Sequence, residues 1–318
     1  MTTKNLLVEL FVEELPPKAL KKLGEAFADG IWRSLEKQLL IVPSATISVD
    51  ESEPDPAPFT SYASPRRLAV FIPGVAARGA DKGTTQKLMP VSVGLDASGN
   101  ATPALLKKLQ ALGADASAVA GLKRAADGKA EARFYDSTVT GATLAEGLQK
   151  ALLEAIAKLP IPKVMSYQLE SGCDLPGWSS VSFVRPAHGL VALHGSAVVP
   201  VTALGLTAGN STHGHRFEAA VDPVVLHDAD SYAATLEKDG AVIASFAQRK
   251  AEIARQLAAA AARVGGGVIA IDDDALLDEV TALVERPNVL VCEFEKEFLD
   301  VPQECLRSEE HTSELQSR

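Results

Sequence analysis

Positive charge is what this chain of 318 residues is short of: 31 Lys and Arg stand against 41 Asp and Glu, for a net charge of −10. A protein that coats nucleic acid without selectivity needs the opposite balance. Any RNA contact must therefore be local, and residues 61–90 are one such place, with Arg66, Arg67, Arg78, Lys82 and Lys87 set against Asp81 alone. Cysteine is also scarce. Cys173, Cys292 and Cys305 are odd in number, widely separated and without a CxxC, which argues against a disulfide framework and suits reduced packing thiols in a cytoplasmic protein. Aromatics make up only 5% of the chain because alanine-rich helices supply much of its 47% hydrophobic content, and 23% charge completes a globular composition. No apolar run is long enough to cross a bilayer. The N-terminus has neither an apolar h-region nor a small-residue cleavage site, so the expectation is a soluble, cytoplasmic protein.

The usual chemical motifs are missing as well. There is no GxxxxGK[ST], and Gly265-Gly266-Gly267 runs into Val-Ile-Ala, which reads as a helix cap and not as a phosphate cradle. There is no GxSxG. His227-Asp228 has the look of a phosphohydrolase ligand pair but lacks the further ligands such a site needs, so a loop or cap role is the stronger reading. Thr212-His213-Gly214-His215 would place two imidazoles on one face of a strand, with His188 and His194 upstream. No acidic or thiol ligand stands at metal-motif spacing beside them, so structural histidines are expected and neither a catalytic nor a metal residue is assigned.

What is present is a regular alternation of strands and helices. Asn5 to Val12 reads as a buried strand, and Glu13-Glu14-Leu15-Pro16-Pro17 opens a helix, where proline and acidic groups are tolerated. Leu20, Leu23, Phe27, Ile31, Leu35 and Leu39 give that helix one apolar stripe. Residues 50–58 read as a surface loop. A short helix is expected near Ala104–Leu112, and a second strong helix starts at the capping box Thr143-Leu144-Ala145-Glu146 and ends at Pro160 and Pro162. Apolar runs at 181–184, 189–193 and 197–206 suggest strands. Helices are expected from about Val242 to Val264 and over roughly 274–285, followed by a strand over Val289–Phe294. With no repeated βαβ period, the expected class is α+β, with two or three lobes whose mixed sheets are packed by amphipathic helices. The expected divisions are 1–73, an inserted smaller lobe at 74–141, a second α+β region at 142–306, and a non-native tail at 307–318 that reads like a translated sequencing adapter.

The most telling segment is Ser64-Pro65-Arg66-Arg67-Leu68-Ala69-Val70, which sets two guanidiniums at the mouth of an apolar strand. Such a pair suits bidentate contact with phosphate or carboxylate, and an ordinary salt bridge is the alternative. Together with Leu6-Leu7-Val8-Glu9, Glu13-Glu14-Leu15-Pro16-Pro17, Leu159-Pro160-Ile161-Pro162-Lys163-Val164-Met165, Phe183-Val184-Arg185-Pro186, Gly214-His215-Arg216-Phe217, Leu277 to Pro287 and Phe298 to Pro302, it resembles the β-subunit family of bacterial heterotetrameric glycyl-tRNA synthetases. The segments occur in that family's order across residues 5–306. Phe11-Val12 and Ser166-Tyr167 depart from its usual Gly-Thr and Arg-Trp, and residues 168–182 form a longer segment than in many relatives.

The resemblance implies a division of labour. A separate α subunit would bind ATP and Mg2+ and make glycyl-adenylate, while the β subunit binds tRNA(Gly) and docks to α in an α2β2 assembly. This chain would correspond to the N-terminal part of β, without the family's later HD-like and anticodon-binding regions, and no cofactor is expected in it. The RNA-binding candidates that the resemblance implies are Arg66, Arg67, Lys163, Arg185, His215 and Arg216, and each is equally open to a structural role. Competing readings are a metal-dependent or editing-type hydrolase and a pure interaction scaffold.

Overall fold

The computed structural model describes residues 2–41, 58–96, 99–127, 130–170 and 172–293. The expected loop at 50–58 falls almost wholly outside them, as do Cys305, Phe298 to Pro302 and the tail at 307–318. The central strand β1 (Thr3–Val12) is buried along its last seven residues, which explains why its sequence is apolar at nearly every position instead of alternating. It pairs antiparallel with β3 (Arg67–Ala76) on one side and with β9 (Ala187–His194) on the other. The hairpin partner β2 (Thr60–Ser64) and the short β10 (Ala197–Val198) complete a five-stranded sheet in the order β10-β9-β1-β3-β2. Strands from the start and from the middle of the sequence therefore share one sheet.

The two faces of this sheet carry different partners. Leu6, Val8, Leu10 and Val12 join Leu68, Val70, Ile72, Leu190 and Ala192 in the main core, together with the stripes of α1 (Pro17–Lys37) and α4 (Leu144–Lys158). The alternate residues Leu7, Ala69, Val191 and Leu193 form a second core with Leu226, Tyr232 and Leu236. Leu20, Leu23, Phe27, Ile31 and Leu35 are fully buried, as the stripe predicts, whereas Leu39 sits past the helix end and is exposed. The capping box forms at Thr143 and Glu146, and hydrogen bonds from Thr143 hold the Glu146 carboxyl below the usual carboxylate range.

Residues 82–139 form a small lobe of their own. Its sheet, β4 (Lys82–Pro90), β5 (Lys123–Asp127) and β6 (Ala130–Val139) in the order β4-β6-β5, packs on the short α2 (Val91–Gly94) and on α3 (Pro103–Ala111) through Leu88, Leu105, Leu109 and Leu122. A neck joins it to the main sheet. There Gly79 N–H donates to Ala142 O at 2.9 Å, and a Cβ on Gly141 would stand 1.9 Å from Gly79 O, so the two chains of the neck touch because residue 141 is glycine, while a Cβ on Gly79 would meet Gln38 O at 2.4 Å.

The remaining strands are short: β7 (Met165–Gln168) pairs β8 (Ser180–Phe183), β11 (Thr202–Ala203) pairs β12 (Leu206–Thr207), and β13 (Ser211–Thr212) pairs β14 (Val224–Val225). The run at 197–206 is thus broken into pieces by the tight turn at Leu204 and Gly205, both of positive φ. The class is α+β. All named strand pairs are antiparallel, and among the described residues a parallel arrangement is confined to the bridge Val191–Gly209.

Three helices follow, α5 (Tyr232–Lys238), α6 (Phe246–Val264) and α7 (Asp274–Leu283). α6 starts four residues later than its apolar pattern suggests. Ala241, Val242 and Ala244 are buried in non-helical chain, Ala241 with a positive φ, and the Ser245 side chain accepts from Gln248 N–H at 3.3 Å, capping the helix there. Ser245→Ala is expected to lower the denaturant midpoint by the equivalent of about 1 kcal/mol with an unchanged slope. Residues 289–293 are not a strand, because Val289 N–H is spent on the Gln256 side chain and Leu290 and Val291 face solvent.

Candidate nucleic-acid interface

Ser64 ends β2 and Arg67 begins β3, so Pro65-Arg66 is the two-residue turn of a hairpin. Both guanidiniums turn inward: Arg66 is 7% exposed and Arg67 0%. The anions they meet belong to the chain. Arg66 grips Glu285, just past α7, through Nε at 3.3 Å and Nη2 at 2.7 Å. Arg67 lies 3.5 Å from the same carboxylate and 3.8 Å from Glu9, the one acid inside β1. The Phe11 ring lies against both guanidiniums, with centroids 5.3 and 5.6 Å from their carbons. Glu9 in turn accepts hydrogen bonds from Thr212 Oγ1 and Tyr232 Oη.

This cluster is self-consistent electrostatically. Burial works to lower the Arg67 pKa, but Glu9, Tyr232 and Glu285 outweigh it and hold the pKa above its ordinary value. Burial first, and the Glu9 charge second, push the Tyr232 hydroxyl well up, so it remains a donor. A third buried cation, Arg249 of α6, is pushed down to about 10, chiefly by burial and further by Arg67, with Glu285 opposing. It is held by carbonyls of Ala63, Ile243 and Thr281 at 2.8, 2.7 and 3.0 Å.

The arginine pair also grips the next segment of interest. Arg66 Nη2 donates to Gly214 O at 2.7 Å and Arg67 Nη2 to His213 O at 2.8 Å. From the other side His215 N–H donates to Gly240 O at 2.7 Å. A Cβ on Gly214 would lie 2.5 Å from Gly240 O, so only glycine lets these two backbones meet. His215 Nδ1 accepts from the amides of Phe217 and Glu218 at 3.3 and 3.2 Å, which places its proton on Nε2. With the backbone clamped from both sides, Arg216 and Phe217 stand out in solvent, and the Phe217 side chain is 91% exposed.

Around that projecting turn lies a recess of about 440 Å³ floored by Phe11 and Arg66 and walled by His188, His213, Arg216 and Phe217. Glu13 bridges two of these walls, meeting Arg216 Nη2 at 2.8 Å and His188 Nε2 at 3.1 Å. His213 Nδ1 is 2.8 Å from Asp222. A second recess of about 210 Å³ on the far side of the turn is lined by Pro65, His215, Phe217, Val284 and Arg286.

The structure thus brings Arg66, Arg67, His215 and Arg216 together and gives them separate tasks. In this conformation Arg66 and Arg67 are turned away from any phosphate: Arg66 donates to Glu285 and Gly214 O, and Arg67 is fully buried, its Nη2 on His213 O and its Nε and Nη1 without a hydrogen-bond partner among the described residues, beside the Glu9 and Glu285 charges. Arg216 faces solvent. Arg185 is half-buried and donates to Glu14 O and Val184 O, each at 3.0 Å, while Lys163 is exposed between α4 and β7. His213 and His215 do not converge: both lie beyond β13 and bond to different partners. Among the described residues no three His, Cys, Asp or Glu gather as a metal site. His194 is buried on Val75 O, and Asp228 accepts from Ser231 N–H at the start of α5, which lowers its carboxyl pKa.

Sequence reasoning missed Glu9, Glu285 and Phe217 as site residues. A lone acid inside Leu6-Leu7-Val8-Glu9-Leu10-Phe11-Val12 was a usable signal that a buried cation must face it. Glu285 gave no such signal, because its chain neighbourhood is that of an exposed helix end.

Comparison with known proteins was made against this geometry. The family model described as "Glycyl-tRNA synthetase beta subunit" matches residues 6–313. Similar curated proteins include the glycine–tRNA ligase β subunits of Polaromonas naphthalenivorans, 76% identical over 310 residues, and Paracidovorax citrulli, 71% identical over 307 residues. In both cases the match covers 96% of this chain and 42% of the relative, so the chain spans about two fifths of their length.

Proposed function

Because the chain belongs to the glycyl-tRNA synthetase β-subunit family, we propose that it is a tRNA-positioning and subunit-docking part of glycine–tRNA ligase, without catalytic residues of its own. The observation that carries this reading is the Arg216-Phe217 turn, held into solvent by two buried arginines and not by its own packing. Loops that only connect elements do not need such a clamp, whereas a contact residue must be held in one place to contribute. Among the described residues Arg216 is tied to Glu13, and both side chains are well exposed, so this pair contributes little and can be exchanged for a phosphate. Lys163 is a further exposed cation for the same role, and His215 and Arg185 shape the surface beside it.

The mechanism is positional. Holding tRNA(Gly) so that its acceptor end meets the active site of a partner α subunit lowers the entropic cost of transferring glycine, while ATP and Mg2+ act on that partner. An α2β2 assembly working in the cytoplasm is part of this proposal. Among the described residues no helix is long and apolar enough to cross a membrane.

Arg216→Ala tests the reading. It is expected to leave the unfolding midpoint unchanged, weaken tRNA(Gly) binding severalfold, and reduce the steepness of the salt dependence by about 0.7 to 0.9 in log–log slope, the share of one phosphate contact. Equal affinity and equal slope in variant and parent would remove Arg216 from the RNA interface.

A further inference from the structure

The charge deficit of the chain is not evenly spread. Residues 82–139 carry eight Lys and Arg against five Asp and Glu, so the small lobe is net basic on a protein whose total is −10. Its sheet has one covered face. Tyr135, Met89 and Leu95 pack with Leu88, Leu105, Leu109 and Leu122 against the helices. Successive residues of a strand point to opposite faces, so Phe134 looks away from this core, and it does not belong to it.

Residues paired across neighbouring strands share a face, and Phe134 is paired on both sides. Its partner in β4 is Lys87 and its partner in β5 is Lys123. The open face therefore carries a half-buried aromatic ring with a lysine on either side in one cross-strand row. Two residues along β6, Asp136 accepts from Thr85 Oγ1 at 2.6 Å and pairs with Lys123 at 2.6 Å. The Lys123 side chain is 70% exposed, so this pair is solvent-screened and open to exchange.

We propose that the open face of the β4-β6-β5 sheet binds an unpaired RNA segment, with a base stacked on Phe134 and the adjoining phosphates on Lys87 and Lys123. An aromatic ring offers every base a π-face, and lysines at strand spacing on both sides track a backbone that passes over it. The rest of the chain is acidic and repels phosphate, which directs the strand to this lobe. The inference rests on the RNA-positioning role proposed above but uses a surface that the turn at Arg216 does not share. The neck at Gly79 and Gly141 carries the lobe clear of the main sheet, so the two surfaces contact separate stretches of one RNA.

The test uses the full chain, with a uridine oligonucleotide and a tRNA(Gly) transcript as probes, followed by fluorescence anisotropy over a range of salt. Phe134→Ala is expected to weaken oligonucleotide binding by about fivefold to a hundredfold. Lys87→Gln with Lys123→Gln should reduce the log–log salt slope by about 1.4, the share of two contacts to a single strand. The lysine variant should keep the parent's unfolding midpoint, and Phe134→Ala, which truncates a half-buried ring outside the lobe core, should lower it only slightly, so binding is compared at temperatures where every variant is folded. If the parent binds tRNA but these variants bind both probes as the parent does, this inference is overturned and the functional reading stands. If the parent binds neither probe, both fail together. Loss of association with the α subunit at unchanged RNA affinity would assign the face to a protein partner and also overturn the inference.

Discussion

Arg67→Ala is expected to lower the stability of the chain by about 3–5 kcal/mol, the range for removing one partner of a buried ion pair. The reason is the state of what remains. Glu9 is fully buried and Glu285 nearly so, and both face Arg67. Without it Glu9 keeps only the hydroxyls of Thr212 and Tyr232, which satisfy its lone pairs but not its charge. Burial and the Glu9 charge already push the Tyr232 hydroxyl well up, and losing the neighbouring cation would add to that push. The double variant Arg67→Ala with Glu9→Gln should recover part of the loss, because it removes the stranded charge, and a double-mutant cycle on denaturant midpoints reads this coupling directly. A single-variant loss below about 1 kcal/mol would contradict the buried-pair account. The same substitution releases His213 O, so tRNA binding should fall even at temperatures where the variant is folded.

The second large effect is expected at Phe27→Ala, again about 3–5 kcal/mol, for a different reason. Phe27 is fully buried in the middle of α1 and among the largest such side chains, in the core that joins α1 and α4 to the sheet. Truncation leaves a cavity between elements that cannot close on it easily, because Gly30 and Ala155 already bring the two helices close, with a Cβ on Gly30 lying 3.1 Å from Ala155 Cβ. Unlike Arg67→Ala, this variant should leave tRNA affinity unchanged per folded molecule, since Phe27 touches neither the turn nor the small lobe. Stability measured beside binding thus separates the two. A variant that loses affinity in proportion to Arg67→Ala while fully folded would mean that α1 helps to shape the RNA surface.

These two residues mark how far the sequence can be read. Phe27 belongs to a stripe at three- and four-residue spacing, and the spacing alone placed it in the core, because helical periodicity is a local property of the chain. The same holds for the Thr143 capping box and for the triple-glycine stop after α6, whose glycines all have positive φ. Local rules failed where a distant segment decides. The α6 start depends on the burial of Ala244 against Leu7, Ala69 and Val191 of the central sheet, residues far from it in sequence. The expected strand at 289 is absent because Gln256 takes the amide that a sheet partner would need.

For Arg66 and Arg67 the sequence determined only that they need an anion, not which one. Two adjacent guanidiniums beside an apolar strand, and a single carboxylate inside another, are facts of composition and order. Order also sufficed to place the chain within its family. That Glu9 and Glu285 face the arginines was decided by the tertiary structure, which brings Arg66 within 2.7 Å of Glu285 across 219 positions of chain. Charge pairing depends on distance through space, and distance through space is not written in spacing along the chain. The consequence is a change of role for the arginines. They hold Arg216 and Phe217 outward, and the candidate contact with RNA passes from the buried pair to the turn it supports.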